Sequence, residues 1–127
     1  MTPEDVVRAE IAAWATNDVD EVMRHFAEDA TFDIGPDWPK LVGREAIYDL
    51  MKVFFGRGKV VDLEIRHLAV DDDVVLMERF DHWVMEGTPL SWPVMGSYQV
   101  RDGKVVAWRE YFWPADGDPG YGSAGVS

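Results

Sequence analysis

The first half of the chain spaces its hydrophobic residues as α-helices do. Val7, Ile11 and Trp14 recur at intervals of three and four residues, which places them along one side of a helix. Thr2 and Pro3 stand just before this stripe, a combination that is typical of a helix start. The predicted helices cover residues 3–15, residues 19–27, and a segment that begins at residue 43 and ends near the glycines at 56 and 58.

After residue 58, hydrophobic and polar residues alternate one by one, which is the period of a β-strand. Val61, Leu63 and Ile65 alternate with charged residues, so these three are expected on one face of a sheet. Asp102 followed by Gly103 is a strong signal for a tight hairpin. The predicted strands are residues 30–34, a strand through 61–65 that ends at the turn of residues 71–73, and residues 74–86, 91–101 and 105–112.

This order of elements predicts an α+β fold. Helices that precede a run of antiparallel strands usually cover one face of a bent sheet. The chain has 127 residues, 47% of them hydrophobic, which suits one domain with one core. We place that domain at residues 1–113 and expect residues 114–127, which hold four glycines and two prolines, to form a flexible C-terminal tail.

The charge of the chain argues against nucleic acid and membranes as partners. Its 24 acidic and 12 basic residues give a net charge of −12, which repels polyanions and anionic lipid. No segment approaches the length of apolar sequence that spans a bilayer, and the acidic start does not resemble a signal peptide. The absence of cysteine excludes disulfides and thiolate chemistry and fits a reducing compartment. We expect a soluble, cytoplasmic protein.

A charged pair on the strand at 74–86 is the first candidate for chemistry. Arg79 and Asp81 are two residues apart, so they share a strand face with apolar neighbours such as Met77 and Trp83. Burying such a pair is costly unless the two ions pair with each other, so a functional reason is expected. The alternative is an ordinary surface ion pair on an exposed face.

Glu110 on the last predicted strand is the second candidate. It shares a face with Trp108 and Phe112, which places a carboxylate between two large rings. Desolvation there would raise its pKa and suit it to proton transfer, whereas at an exposed sheet edge it would be an ordinary surface acid. If the two strand faces coincide, Arg79 can bridge Asp81 and Glu110 as a carboxylate, guanidinium, carboxylate triad.

Metal and cofactor sites are not expected. The three histidines, His25, His67 and His82, are scattered without the spacing of metal ligands. The sequence has neither a phosphate-binding loop nor a Gly-x-Ser-x-Gly elbow.

Three segments resemble the limonene-1,2-epoxide hydrolases. These are residues 75–81 with their Arg-x-Asp pair, residues 93–96 (Pro-Val-Met-Gly), and residues 102–112 with the run Trp-Arg-Glu-Tyr-Phe. That family belongs to the nuclear transport factor 2-like superfamily, which also includes ketosteroid isomerases and scytalone dehydratase. The resemblance extends over residues 5–113 and implies a cone-like, curved, mostly antiparallel sheet that encloses a pocket with three N-terminal helices.

The resemblance also implies a reaction, the one-step addition of water to an epoxide without a cofactor. Asp81 would protonate the epoxide oxygen, Arg79 would bridge the carboxylates, and Glu110, where the family has Asp, would take a proton from water. Phe32 and Ile34 stand where the family has the Tyr and Asn that hold the water. Residues expected to contact substrate are Phe32, Ile34, Met77, Trp83, Met95, Trp108 and Phe112.

Two other functions remain open from the sequence. A pocket with an acid, a bridging Arg and a base, but with Phe32 and Ile34 at the water site, also suits a lyase, dehydratase or isomerase. A non-catalytic ligand-binding protein is the third possibility, because this fold supports many functions. In each case the ligand is expected to be small, uncharged and hydrophobic. Outward apolar residues such as Phe80 and Tyr111 suggest a homodimer formed sheet to sheet.

Overall fold

The computed structural model describes residues 1–35 and 38–112, except for the side chain of Phe112. The predicted tail at 114–127 lies outside the described residues, so the predicted domain boundary stays a prediction. The helices are α1 (Pro3–Trp14), α2 (Val19–Met23) and α3 (Arg44–Arg57). The strands are β1 (Phe26–Asp33), β2 (Leu41–Val42), β3 (Gly58–Asp71), β4 (Val74–Met85), β5 (Thr88–Arg101) and β6 (Lys104–Phe112).

The described strands form one curved sheet, which confirms the predicted α+β class. Their order is β2-β1-β6-β5-β4-β3, and β1 runs parallel to β6 while the other neighbours are antiparallel. Helices α1 and α3 pack on the inner face of the sheet, α2 packs against both of them, and together they bury the core. In the part of the chain that the structure describes, no helix has the length and apolarity needed to cross a membrane.

Helix α1 begins where the sequence predicts. The Thr2 hydroxyl accepts a hydrogen bond from the Asp5 backbone N–H at 3.1 Å, and the Asp5 carboxylate accepts one from the Thr2 N–H at 3.0 Å. This reciprocal capping box satisfies two N–H groups that the helix itself leaves unpaired. The hairpin at Asp102 and Gly103 is also confirmed, because both residues have positive φ, as a type I′ turn requires.

The second helix is shorter than predicted. It ends at Met23, and Phe26, which the spacing placed on the helix, is the first residue of β1. Phe26 pairs with Val105 of β6, which is far away along the chain. This distant pairing buries Phe26 in a strand, and it overrides the local helical spacing. Strand β2, which was not predicted, adds two residues to the outer edge of β1.

Strand β3 departs from simple alternation at two β-bulges. Its register against β4 shifts between Val60 and Asp62 and again between Ile65 and His67. The first shift makes Val60 the buried residue and leaves Val61 62% exposed while Leu63 is buried, so the prediction that Val61 and Leu63 share one face of the sheet is wrong. Bulges of this kind bend a strand and increase its twist, which helps the sheet to curve around a cavity.

Candidate active site

Regular alternation along β4 carries Arg79 and Asp81 to the inner face of the sheet. The pairing of β4 with β5 is unbroken from Val74 to Met85, so every second residue of β4 faces the helices. Arg79 is 3% exposed and Asp81 is 5% exposed. The two charges are therefore buried in the core, and the alternative of an exposed surface pair is excluded.

The Arg79 guanidinium lies at the centre of a hydrogen-bond network. It donates from Nε to Asp81 Oδ1 at 2.7 Å and from Nη2 to Asp81 Oδ2 at 2.9 Å. Nη2 also donates to Glu110 Oε2 at 2.6 Å, and Nη1 donates to the Tyr98 hydroxyl at 2.5 Å. The planar fork thus joins two carboxyl groups and a phenol, and fixes where each carboxyl points.

Burial and charge act in opposite directions on the groups of this network. Burial raises the pKa of Glu110 above its ordinary value, although the neighbouring Arg79 lowers it in part. Burial alone would lower the pKa of Arg79, but Tyr98, Glu110 and Asp81 beside it raise that pKa overall, so the guanidinium stays charged. The site therefore holds a fixed cation next to a carboxyl group whose proton is retained to higher pH than usual.

The network opens into a largely apolar cavity of about 150 Å³. A dry protein cavity of about this volume accepts a molecule the size of benzene. The residues that line it are Trp14, Phe32, Ile34, Met51, Phe54, Leu63, Arg79, Asp81, Trp83, Met85, Trp92, Tyr98, Trp108 and Glu110. Such a surface offers contact area to a hydrophobic ligand and only a few polar groups to orient it.

Four of the seven residues predicted to contact substrate line this cavity: Phe32, Ile34, Trp83 and Trp108. Met77 is buried but does not line the cavity. Its sulfur lies 3.9 Å from Nη1 of Arg79, beside the hydrogen-bond network. The side chain of Phe112 lies outside the described residues. The predicted catalytic residues Arg79, Asp81 and Glu110 all line the cavity.

The prediction for Met95 is corrected by the structure. Val94 and Gly96 of β5 are buried on the inner face, so the side chain of Met95 between them projects to the outer face. Met95 is 47% exposed there and pairs across the strands with Tyr111, which is also exposed. Met95 therefore belongs to the outer surface of the sheet rather than to the cavity.

Tyr98 is a site residue that the sequence reasoning missed. Its hydroxyl accepts a hydrogen bond from Arg79 and lies 3.5 Å from Glu110 Oε2. Burial raises its pKa well above the ordinary value, so the phenol keeps its proton. The available signal in the sequence was that Tyr98 follows Gly96 by two residues, which places both on the same face of the strand.

Glu10 of α1 is the second residue that was missed. It is completely buried, and its Oε1 accepts a hydrogen bond of 3.1 Å from Nε1 of Trp14, while Oε2 has no partner among the described residues. Burial raises its pKa to about 8. The sequence signal was an acid within a helical stripe of apolar residues, Val6, Glu10 and Trp14 at intervals of four.

Aromatic rings form part of the cavity wall. Phe32 and Trp108 lie side by side on the parallel strands β1 and β6, and their rings stack with centroids 3.6 Å apart. Trp14 contacts Trp108 edge to face, with centroids 6.0 Å apart.

Within the described parts of the chain, no three His, Cys, Asp or Glu side chains cluster as metal ligands would.

Comparisons with known proteins agree with this architecture. The sequence model of the SnoaL-like domain matches residues 7–108. Epoxide hydrolase EphG of Mycobacterium tuberculosis is 26% identical to this chain over 106 residues, which cover 84% of this chain and 70% of that protein.

Solved structures show the same fold. An LEH-like epoxide hydrolase from M. tuberculosis has 24% sequence identity and a TM-score of 0.76, and the match covers 87% of this chain and 81% of that one. A protein with a ketosteroid isomerase-like fold from Catenulispora acidiphila has 23% identity and a TM-score of 0.76, over 94% of this chain and 100% of that one. Because the domain model matches most of the sequence, the chain belongs to the SnoaL-like family of nuclear transport factor 2-like proteins.

Proposed function

We propose that this protein is a cofactor-independent epoxide hydrolase that adds water to a small hydrophobic epoxide. The observation that carries the proposal is the bridge from Arg79 to both Asp81 and Glu110 at the wall of an apolar cavity. Two carboxyl groups held by one cation are the parts that a paired general acid and general base need. The similarity to EphG supports the same reaction class.

In the proposed reaction Asp81 is the acid and Glu110 is the base. Asp81 gives a proton to the epoxide oxygen while water attacks an epoxide carbon, and Glu110 takes the proton that the water loses. Glu110 suits proton transfer because burial raises its pKa above the ordinary value, towards the pH at which a protein works. Arg79 holds both carboxyl groups in place and stays charged throughout.

The test is turnover of a panel of terpene and aryl epoxides in ¹⁸O-labelled water, followed by mass spectrometry of the products. The wild-type protein should form a diol that carries one labelled oxygen. Asp81→Asn should lower the rate by about 100-fold or more while leaving the fold intact. Asp62→Asn is the matched control, because it makes the same change at an exposed position of the adjacent strand β3.

Either of two results would contradict the proposal. Full activity in Asp81→Asn would remove Asp81 from the reaction, and no turnover by the wild-type protein across the panel would remove the hydrolase. In the second case elimination or isomerisation becomes the better assignment. That alternative is favoured by Phe32 and Ile34, which give the β1 side of the cavity no polar side chain to hold water. Products without incorporated label identify it.

We also propose a cytoplasmic homodimer, formed by packing the outer faces of two sheets. Leu76, Met95 and Tyr111 are exposed on this face, and Met95 pairs directly with Tyr111. Exposed apolar residues that adjoin one another favour association. Light scattering after size-exclusion chromatography measures the mass, and Met95→Lys should shift it towards that of one chain. A mass of one chain for the wild-type protein would refute the dimer.

A further inference from the structure

Tyr98 occupies a position that Gly96 makes possible. Its ring folds back along β5 over Gly96, where a Cβ atom would lie 2.8 Å from Tyr98 Cε1 and 3.0 Å from its hydroxyl oxygen. Gly96 is the residue that pairs with Glu110 on β6. The glycine therefore leaves the space in which the Tyr98 hydroxyl reaches the Glu110 carboxyl group.

The oxygen of the Tyr98 hydroxyl group accepts a short hydrogen bond, whereas its proton takes part only in a long one. Arg79 Nη1 donates to the oxygen at 2.5 Å, so one acceptor position is occupied by a charge-assisted hydrogen bond. The nearest acceptor for the proton is Glu110 Oε2 at 3.5 Å, whereas O–H···O bonds are usually about 2.7–2.8 Å long. A phenol donates as well as accepts, so Tyr98 has a proton to offer to another oxygen in the cavity.

We propose that Tyr98 is a catalytic residue that holds the attacking water in the proposed hydrolysis. In this arrangement Tyr98 donates to the water oxygen, and the water donates to Glu110. Two oxygens 3.5 Å apart are both within hydrogen-bond distance of one water molecule. The second lone pair of the water is then free to attack the substrate. This inference rests on the proposed epoxide hydrolase function.

The proposed step balances in atoms and protons. The water oxygen bonds to an epoxide carbon as the bond between that carbon and the epoxide oxygen breaks. Glu110 takes the proton from the water, Asp81 gives its proton to the epoxide oxygen, and Tyr98 keeps its own. Transfer of a proton from Glu110 back to Asp81 restores the starting state.

The first strand supports a role for Tyr98 because it supplies no such group. Phe32 is stacked on Trp108, and Ile34 completes the same wall with an aliphatic side chain. Among the described residues that line the cavity, Tyr98 alone carries a neutral hydroxyl group. It stands on β5, beside the proposed base, and can therefore do from β5 what Phe32 and Ile34 cannot do from β1.

The experiment compares Tyr98→Phe with the wild-type protein on limonene 1,2-epoxide and styrene oxide in ¹⁸O-labelled water. Loss of one preorganised donor should lower kcat by about 100-fold and change KM by less than about threefold. The carbon that receives the label should change from one to a mixture of both, because the water is no longer held over one carbon. Tyr48→Phe is the matched control, since Tyr48 lies on α3 and does not line the cavity.

Each result supports the role of Tyr98 or overturns it. Wild-type kcat and label position in Tyr98→Phe would overturn it, and so would a loss of activity that appears only in KM with the label position unchanged. If Tyr98→Phe does not fold, Gly96→Ala decides by the same measurements, because it displaces the hydroxyl and should reproduce the loss of kcat. If the wild-type protein turns over neither epoxide, both the proposed function and the proposed role of Tyr98 are refuted. This outcome is distinct from one in which the wild-type protein is active and Tyr98→Phe is unchanged, which refutes the role of Tyr98 alone.

Discussion

Replacing Glu10 by a glutamine should make the protein more stable, and the gain should grow with pH. Glu10 is completely buried, and burial raises its pKa from the ordinary 4.5 to about 8. The charges around it have smaller effects, with Arg79 lowering the pKa and Glu110 and Asp81 raising it. Glu10 is therefore neutral in the folded protein at neutral pH, although it would be ionised in the unfolded chain.

The size of the effect follows from the two pKa values. Because the folded protein holds a proton that the unfolded chain has lost, its free energy of unfolding falls as pH rises from about 4.5, and the fall levels off above about 8. Each pH unit within this window costs about 1.4 kcal/mol. A glutamine side chain has no proton to lose, so the stability difference between Glu10→Gln and the wild-type protein should grow by about 3–4 kcal/mol from about pH 5 to about pH 8.

Urea denaturation at several pH values, followed by tryptophan fluorescence, measures this difference. Glu28→Gln is the matched control, because Glu28 is exposed and the same substitution there should leave the difference nearly constant. The change in the difference with pH is the decisive quantity, since it cancels the effect of every other titrating group. A difference between Glu10→Gln and the wild-type protein that does not change with pH would refute the assignment of a neutral, buried Glu10.

Two further predictions concern the hydrogen bonds between Asn17, which lies between α1 and α2, and Val60 of β3, and the pH dependence of the proposed reaction. The Asn17 side chain accepts from the Val60 N–H at 2.8 Å and donates to the Val60 carbonyl at 3.1 Å, and Asn17 itself has a φ of 56°. Asn17→Ala should lower the free energy of unfolding, measured by urea denaturation, by about 2–4 kcal/mol. Asn17→Gly loses the same hydrogen bonds without the strain of a positive φ, so it separates the two contributions. A loss below about 0.5 kcal/mol in Asn17→Ala would contradict a stabilising role for these hydrogen bonds. In the proposed reaction Glu110 acts as a base only when ionised, so kcat/KM should fall with decreasing pH through a pKa above 4.5. A rate profile that stays flat down to pH 4.5 would exclude Glu110 as the base.

The burial of Arg79 and Asp81 on the inner face could be predicted because β4 is regular. Its pairing with β5 has no bulge, so the spacing of Arg79 and Asp81 alone is enough to place both on the inner face. On β3 the same reasoning failed at Val61, because an extra residue in a bulge reverses the alternation and nothing in the local sequence marks it. Alternation is thus reliable only where the register is continuous.

Tyr98 and Glu10 could not be assigned to the site from the sequence, because their roles depend on distant neighbours. Tyr98 reaches Glu110 only because Gly96 leaves space beneath its ring, and this follows from the register between β5 and β6. The packing of α1 on the sheet brings Glu10 close enough to Arg79 for their charges to interact, whereas helical spacing indicates only that Glu10 lies on the buried side. Each of these contacts joins two elements of the fold, whereas the periodicity of a sequence indicates only which face of a single helix or strand a residue lies on.

The neutral state of Glu10 matters for the charge of the whole site. Asp81 and Glu110 face one buried cation, Arg79, whose Nε, Nη1 and Nη2 already donate to Asp81, Tyr98 and Glu110. An ionised Glu10 would add a further negative charge beside that single positive charge, in surroundings where little water screens the repulsion. An anionic ligand would meet the same repulsion, and Arg79 could bind it only by giving up hydrogen bonds to Asp81 and Glu110. The site therefore disfavours anionic ligands, and in the proposed reaction the aromatic walls would contact the apolar part of an uncharged substrate while its epoxide oxygen would meet Asp81.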